Sequence, residues 1–549
     1  MKKRVKKKIS IISTLLIILL LIFLYNIEKP SCPVCKYSDE IGWLLNESEI
    51  ILDYQINHTI DGFPVTVWNV LNNTYLNSVS NPRFIQYWNL ATLRGGGKAL
   101  EYMIEVMNTF YNRSVNGVFP WYYNLKTKKI EKSTPLISYV VGDLLMGLGY
   151  IYEMTNNSVF KERATELANH SIELFFNEDN NLLYNYLDFN LQPLKSSSEI
   201  GNVCLLIDGW LFMYDVFGDE HYLKSAEKAI DGILSLKNNQ TGLIPEIFIA
   251  ENKSLGAWSG IGTLGEFMET VYYAWYLTDN SRYVDILKNL IDTQIEFFWN
   301  DDLGRFINKV DLNGFPLDYS YEAIRLEPNI YMLIRLYAIT KNETYLNLSE
   351  KALNSYMNEG FVEGLPLFSI GDNKTLDLVC PGSIYPFLKS AAMISMFKGD
   401  FYLNQSLEVA KKSVKLIKQK YGYASCINIT SGEILPNQDI GGTMWFQNEG
   451  LTILASMLMV YPHWDLGESG KSSVVPIAEN SIIRGFQVKQ NGLEFELGTQ
   501  TINPNALFCF NNENNDLLSR VSRFDSFYYG EQCVYMINRG LKPTKIFFR

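Results

Sequence analysis

One short pattern recurs along the chain and constrains its fold more than any other feature. AWYLTDNSRYVDIL (274–287) sets aromatic residues before a small polar turn, then a tyrosine, then a new amphipathic run. Near-copies stand at 150–164 (YIYEMTNNSVFKERA), 211–226 (LFMYDVFGDEHYLKSA), 335–350 (RLYAITKNETYLNLSE) and 394–410 (ISMFKGDFYLNQSLEVA). The aromatic after the turn falls at Phe160, Tyr222, Tyr283, Tyr345 and Tyr402, in steps of 62, 61, 62 and 57 residues. A period near 60 is longer than the 33 to 47 residues of most helical solenoid repeats, and it points to a closed ring of helical hairpins.

Each unit reads as an outer amphipathic helix, a loop of 20 to 30 residues, a more apolar helix and the short turn. Six apolar segments fit the inner position: TPLISYVVGDLLMGLGYIYEM, EIGNVCLLIDGWLFMYDVF, GIGTLGEFMETVYYAWYL, YEAIRLEPNIYMLIRLYAI, PGSIYPFLKSAAMISMF and TMWFQNEGLTILASMLMVY. A helix apolar on all sides belongs inside, and one with polar residues on one side faces water. Outer partners begin near Gly97, Val159, Tyr222, Arg282, Thr344 and Tyr402. The expected fold is all-α, an (α/α)6 toroid of six helical hairpins. The long loops, such as GLIPEIFIAENKSL and GRFINKVDLNGFPL, read as strand, turn and strand. All six are expected on one rim, above the N-termini of the inner helices, where a site would lie.

The flanks differ from the ring. MKKRVKKK (1–8) is a basic head, and ISIISTLLIILLLIFLYNI (9–27) is a run of 19 residues without charge. At 1.5 Å per residue it spans roughly 28 Å, so it reads as an uncleaved transmembrane anchor with the head cytoplasmic and the rest of the chain outside. Residues 28–93 form a linker and lead-in with no long helical period, 94–465 the toroid, and 466–549 a small β-rich tail. Without the six basic residues of the head, the formal net charge falls from −11 to −17, which excludes nucleic acid and disfavours polyanionic ligands. Thirteen Asn-x-Ser/Thr sites suit an exported, glycosylated surface. Cys32 with Cys35, and Cys509 with Cys533, are candidate disulfides. The four histidines have no metal-ligand spacing, and no cofactor is expected.

Acidic residues on helices that should be apolar carry the functional expectation. Asp143, Asp208, Glu266, Glu269, Glu322, Glu327 and Glu449 all lie on inner segments. Burial of an unpaired carboxylate is costly, so each needs a wet, hydrogen-bonded or functional setting. Asp208 and Glu269 are equivalent, each 14 residues before its marker tyrosine, so both can point into one cavity. Glu199, Glu266 and Glu322, near helix starts, read better as complements to the helix dipole. Two carboxylates in an aromatic cleft are what glycoside hydrolysis requires. Trp121, Tyr122, Trp258 and Trp445 are candidate sugar-stacking residues, and 14% of the chain is aromatic. Glu269, among Phe267, Tyr272 and Tyr273, is expected to be poorly solvated and raised in pKa, as a general acid must be.

A six-hairpin toroid with aromatic loops resembles the glycosidase superfamily of that architecture, over about residues 94–462. GEFMETVYYAWYLT (265–278) is similar to the helix of class I α-mannosidases that carries a YYEYLLK-like motif, and WFQNEGLTILASMLM (445–459) to their FLAETLKYLYLLF-like motif. The resemblance implies that Glu269 is the general acid and that Glu449 is the glutamate of the second motif. The family's arginine-proline-glutamate motif appears only as RLEP (325–328), around Glu327. That family has seven hairpins and a calcium held by a threonine in a TEAHP-like sequence, where this chain instead runs into VYPHWDLG. The sequence thus leads to a membrane-anchored, outward-facing hydrolase of a neutral glycan. Glu269 would be the acid, and Asp208, Glu327 or Glu449 the base. A non-catalytic glycan-binding or scaffold protein, and a polysaccharide lyase, are the alternatives.

Overall fold

The structure, a computed structural model, describes residues 37–460 apart from 76–78, 81–86, 94–96, 115–122, 131–135, 279, 372–376 and 436–439, together with seven strands between 473 and 548. The anchor at 9–27, the Cys32–Cys35 pair, Trp121 and Tyr122 lie outside the described residues.

In chain order the helices are α1 (Ser38–Asn57), α2 (Trp88–Leu93), α3 (Gly97–Tyr111), α4 (Ser138–Thr155), α5 (Ser158–Phe175), α6 (Ile200–Phe217), α7 (Glu220–Leu234), α8 (Ile261–Thr278), α9 (Ser281–Phe298), α10 (Leu326–Thr340), α11 (Glu343–Glu359), α12 (Pro381–Lys398), α13 (Asp400–Ile417) and α14 (Ile440–Val460). The even members from α4 to α14 are the six apolar segments, and each packs on the next to form the inner ring. The burial of α4 is continuous from Ser138 to Ile151, as an all-round apolar sequence requires. On α7 the buried residues Tyr222, Leu223, Ala226, Ala229, Ile230 and Ile233 keep to one stripe, so this helix stands outside. Ile200–Phe217 is the one described helix long and apolar enough to cross a membrane, yet it is a mostly buried core helix of the ring.

The tight pairs are those joined by the short polar turn, α4 with α5, α6 with α7, and so on to α12 with α13, not those joined by the long loops. The turn motif shows why. Asn157, Asp219, Asn280 and Asn342 are N-caps whose side chains accept from the N–H groups of Val159, His221, Arg282 and Thr344 at 2.9–3.1 Å. The residue before each cap in three of these turns, Asn156, Gly218 and Lys341, ends the inner helix in the left-handed region. The marker aromatic then buries its ring and stitches neighbouring outer helices: Tyr283 Oη donates to Glu227 on α7 at 2.9 Å, and Tyr402 Oη to Glu350 on α11 at 2.9 Å.

Residues 36–93 do contain a long helical period, which the sequence reading missed. In α1, Ile41, Leu44, Leu45, Ser48, Ile51, Leu52 and Gln55 are buried at helical spacing. This face packs along α14, so the first helix of the chain supplies the outer partner of the last inner one, and the short α2 fills in beside α14.

Six small antiparallel sheets crown the rim, and they interlock the repeats. The strand leading into each inner position pairs with the hairpin of the next long loop: Val79–Ser80 with Tyr123–Asn124, Leu136–Ile137 with Tyr186–Leu187, Ser198–Glu199 with Ile247–Ile249, Trp258–Gly260 with Lys309–Asp311, Tyr321–Glu322 with Ser369–Ile370, and Leu378–Val379 with Cys426–Asn428. The five lead-in strands from Leu136–Ile137 to Leu378–Val379 run into helix N-termini, so their sheets share one end of the toroid. A disulfide, Cys380–Cys426, fastens the start of α12 to its hairpin. In the tail, seven strands form two antiparallel sheets, and their register sets Cys509 opposite Cys533.

Candidate active site

The inner helices α6 and α8 bring the site together. Asp208, nine residues into α6, faces Thr270 of α8 and is only 4% exposed. Burial, partly countered by the Thr270 hydroxyl and reinforced by the charge of Glu266, pushes its carboxyl up to about 8. Near pH 7 it is therefore mostly protonated. The Thr270 hydroxyl lies 3.4 Å from the Glu266 carbonyl, so a protonated Asp208 can donate to Thr270 while Thr270 donates onward. Cys204, one turn earlier on α6, is buried beside them, and burial followed by the Asp208 charge pushes its thiol well up, which leaves it unreactive. Glu269 and Glu266, on the same side of α8, are both half-buried; both lie within electrostatic reach of Cys204, and Glu266 also of Asp208.

The pairing of Asp208 with Glu269 by repeat position thus gives two different environments. Asp208 is turned into the α6–α8 contact and Glu269 keeps access to solvent. The strongly desolvated carboxyl described at the site is that of Asp208.

At the rim, Glu266 lies over Gly201, where any Cβ would collide with its carboxylate. The same carboxylate is 43% exposed and 3.7 Å from the Arg325 guanidinium, which is also 3.7 Å from Glu322. This exposed triad orients Glu266 and contributes little to stability. Glu199 accepts from Asn202 Nδ2 at 3.0 Å and makes no N-cap bond. Trp258 is half-buried; its Nε1–H donates to Glu246 at 2.9 Å, and the Lys309 ammonium sits 5.3 Å from its ring centre. Glu449 is half-buried on α14, next to Gln447 and Asn448, whose buried amides make no hydrogen bond within the described structure. The side chains of Glu327 and Trp445 lie outside the described residues, although their backbones belong to α10 and α14.

Sequence reasoning looked only for misplaced acids and so missed two buried cations on the same inner ring. Arg335 of α10 is stacked between Tyr272 (3.9 Å) and Tyr331 (3.8 Å), and Lys389 of α12 lies 4.4 Å from Tyr331 and 5.7 Å from Tyr385. Tyr385 in turn meets Phe446 of α14, with ring centres 5.9 Å apart. The signal was present: a basic residue in IYMLIRLYAI or YPFLKSAAM breaks the apolar pattern as an acid does. The ring thus carries acids on α4, α6 and α8, with Glu327 and Glu449 on α10 and α14, and a cation–aromatic ladder from α8 round to α14. Among the described residues, no group of three His, Cys, Asp or Glu is arranged to hold a metal ion.

Comparison of the sequence with protein-family models and with curated proteins found no match. Solved structures do match the fold. The α-1,2-mannosidase from Trichoderma reesei superposes with a TM-score of 0.58 at 12% identity, over 77% of this chain and 93% of that one. The cellobiose 2-epimerase from Bacillus thermoamylovorans B4167 gives 0.54 at 12% identity, over 68% of this chain and 98% of that one. A D-mannose isomerase gives 0.53 at 12% identity, over 76% and 97%. The chain therefore has the helical-hairpin toroid fold of these enzymes.

Proposed function

We propose that this protein is a glycoside hydrolase acting on a neutral glycan outside the cytoplasmic membrane. The carrying observation is the placement of Glu269 on α8, half-exposed beside a neutral Asp208, with Glu449 on the inner helix three positions round the ring. Neighbouring helix axes lie 8–10 Å apart, so opposite members of a six-helix ring are roughly 20 Å apart. Side chains reach about 5 Å inward from each axis, which leaves a gap of about 6–10 Å, a range that includes the separation at which two carboxyl groups admit a water beside the sugar.

In this reading Glu269 protonates the glycosidic oxygen as the bond to the anomeric carbon breaks. Glu449 removes a proton from the water that attacks the opposite face, so configuration inverts. Asp208, neutral and tied to Thr270, adds no repulsion to the ionised form of Glu269 and holds α8 in place. The toroid enzymes named above that superpose on this chain carry sugar-related names, which supports a carbohydrate substrate. The described histidines lie away from the site: His58 stacks on Trp68 after α1, and His170 and His221 are on outer helices. Export is supported by the apolar run at 9–27 and by the Cys380–Cys426 disulfide.

The test is kinetic and stereochemical. Glu269→Gln and Glu449→Gln should each lower turnover by roughly 10² to 10⁴ with little change in sugar affinity or Tm. NMR of the first-formed product should show the inverted anomer. Retention would remove Glu449 as the base, and a wild-type protein that binds glycans but cleaves none would be a binding protein.

A further inference from the structure

We propose that four asparagines, Asn72, Asn156, Asn252 and Asn342, accept N-linked glycans, and that the folded structure selects them from the thirteen Asn-x-Ser/Thr sites of the chain. The inference rests on export of the chain beyond the anchor and is independent of the hydrolase reading.

Asparagines of these sites stand at the surface more than other asparagines do. Of the twelve whose side chains are described, eleven are exposed and Asn428 is half-buried, against seven exposed among the twenty-two other asparagines so described. Random placement of Ser and Thr two residues after Asn would not sort the asparagines by exposure. No site lies within an inner helix, where Asn202, Asn329 and Asn448 each lack the hydroxyl residue two positions on.

The hydroxyl residue divides the twelve further. Residues two apart on a helix face different sides, so behind Asn46, Asn169, Asn347 and Asn404 the serines Ser48, Ser171, Ser349 and Ser406 are fully buried and donate to backbone carbonyls at 2.7–3.0 Å. The hydroxyls that follow Asn57, Asn112, Asn239 and Asn428 also bind the fold: Thr59 donates to Gln55, Ser114 to Tyr111, Thr241 to Leu312 and Thr430 to Asp377. At the four proposed sites both residues are exposed, and among the described residues the hydroxyl meets nothing but the asparagine itself.

These four lie in turns. Thr74 and Ser254 donate N–H and O–H to Oδ1 of Asn72 and Asn252 at 2.5–3.1 Å, and the Thr344 N–H donates to Asn342 Oδ1 at 3.1 Å. The amide oxygen is held and Nδ2, the acceptor atom, donates to no other described residue at any of the four, whereas the Nδ2 groups of Asn177, Asn202 and Asn308 all bind the fold. The fold does not need the hydroxyl. The caps equivalent to Asn342 serve the N–H groups of Val159, His221 and Arg282, so starting α11 requires the backbone of residue 344 and not its side chain. The donor is a lipid-linked sugar phosphate. The Nδ2–C1 bond forms as the C1–O bond to phosphate breaks, the phosphate leaves with that electron pair, one Nδ2 proton is released, and nothing is oxidised.

The experiment takes the full-length protein from the membranes of its own cells and weighs its proteolytic peptides by mass spectrometry. Peptides with Asn72, Asn156, Asn252 and Asn342 should carry a glycan mass, and those with Asn46, Asn169, Asn347 and Asn404 should be bare. Thr344→Ala keeps the cap and should lose the Asn342 glycan without a change in Tm, while Thr344→Ser should keep the glycan. Bare asparagines at all four sites overturn the proposal, as does a glycan that persists in Thr344→Ala. Equal occupancy of the helix sites overturns selection by the fold. Protease added to intact cells separates the premises: a bare chain that it digests rejects the acceptor sites alone, and a bare chain that it spares rejects export and the acceptor sites together.

Discussion

Asp208 is the residue on which the electrostatics of the site turn. Its carboxyl titrates near 8 in the fold, against about 3.9 in an unfolded chain. Between those values the folded state holds a proton that the unfolded state has released. Its contribution to stability is therefore fully present below about pH 4 and is lost as pH rises through about 8. Asp208→Asn cannot ionise, so its stability relative to wild type should rise between about pH 5 and pH 8, by on the order of a few kcal/mol. Urea midpoints at the two pH values read this directly; a constant difference would mean that the carboxyl is solvated. The sequence marked Asp208 and Glu269 as equivalent by spacing. It could not show that one would be buried in a helix–helix contact while the other keeps access to solvent, because that depends on the rotation of α6 against α8.

Among the elements, the polar turn between inner and outer helices explains why its sequence recurs. An Asn or Asp cap ends one helix and starts the next, and the aromatic three residues later anchors the outer helix to its neighbour. Asn280→Ala should cost about 1 kcal/mol through the lost cap of α9, and Asn280→Asp almost nothing. Tyr283→Phe should cost about 1.5 kcal/mol, since it strands Glu227 while keeping the ring. Thermal denaturation of the three variants checks both numbers, and equal melting of Asn280→Ala and Asn280→Asp would show that the cap is not what the repeat conserves energetically. Close helix contacts follow from single glycines. Gly142 of α4 meets Gly209 of α6 backbone to backbone, where a Cβ on Gly209 would lie 3.0 Å from the Gly142 Cα.

At the scale of the whole molecule, the ring closes through a contact between the first and last described helices of the toroid region, α1 and α14. A chain that starts at residue 37 should fold and melt cooperatively, whereas one that starts at residue 88 should aggregate, because the apolar face of α14 loses its cover. Circular dichroism and size-exclusion chromatography separate the outcomes, and a soluble, cooperatively melting shorter chain would assign α1 a minor place. The rim sheets close the same ring by local pairings, each between a lead-in strand and the next hairpin.

Periodicity is a local property, and what it encodes was legible from the residues alone: the unit near 60, the inner and outer helices, the shared rim, and the misplaced acids Asp208, Glu266, Glu269 and Glu449. Residues 41–55 also carried their period, yet no neighbouring copy of the motif drew attention to it. Tertiary structure alone decided the partner of α14, the burial of Asp208 against Thr270, the stacking of Arg335 and Lys389 across α8, α10 and α12, and the Cys380–Cys426 bridge across 46 residues. Each of these joins segments whose separation along the chain leaves no trace in either segment. A helix records which of its faces is apolar, but the neighbour that covers that face, and the side chain that meets its polar atoms, are set by the closure of the ring.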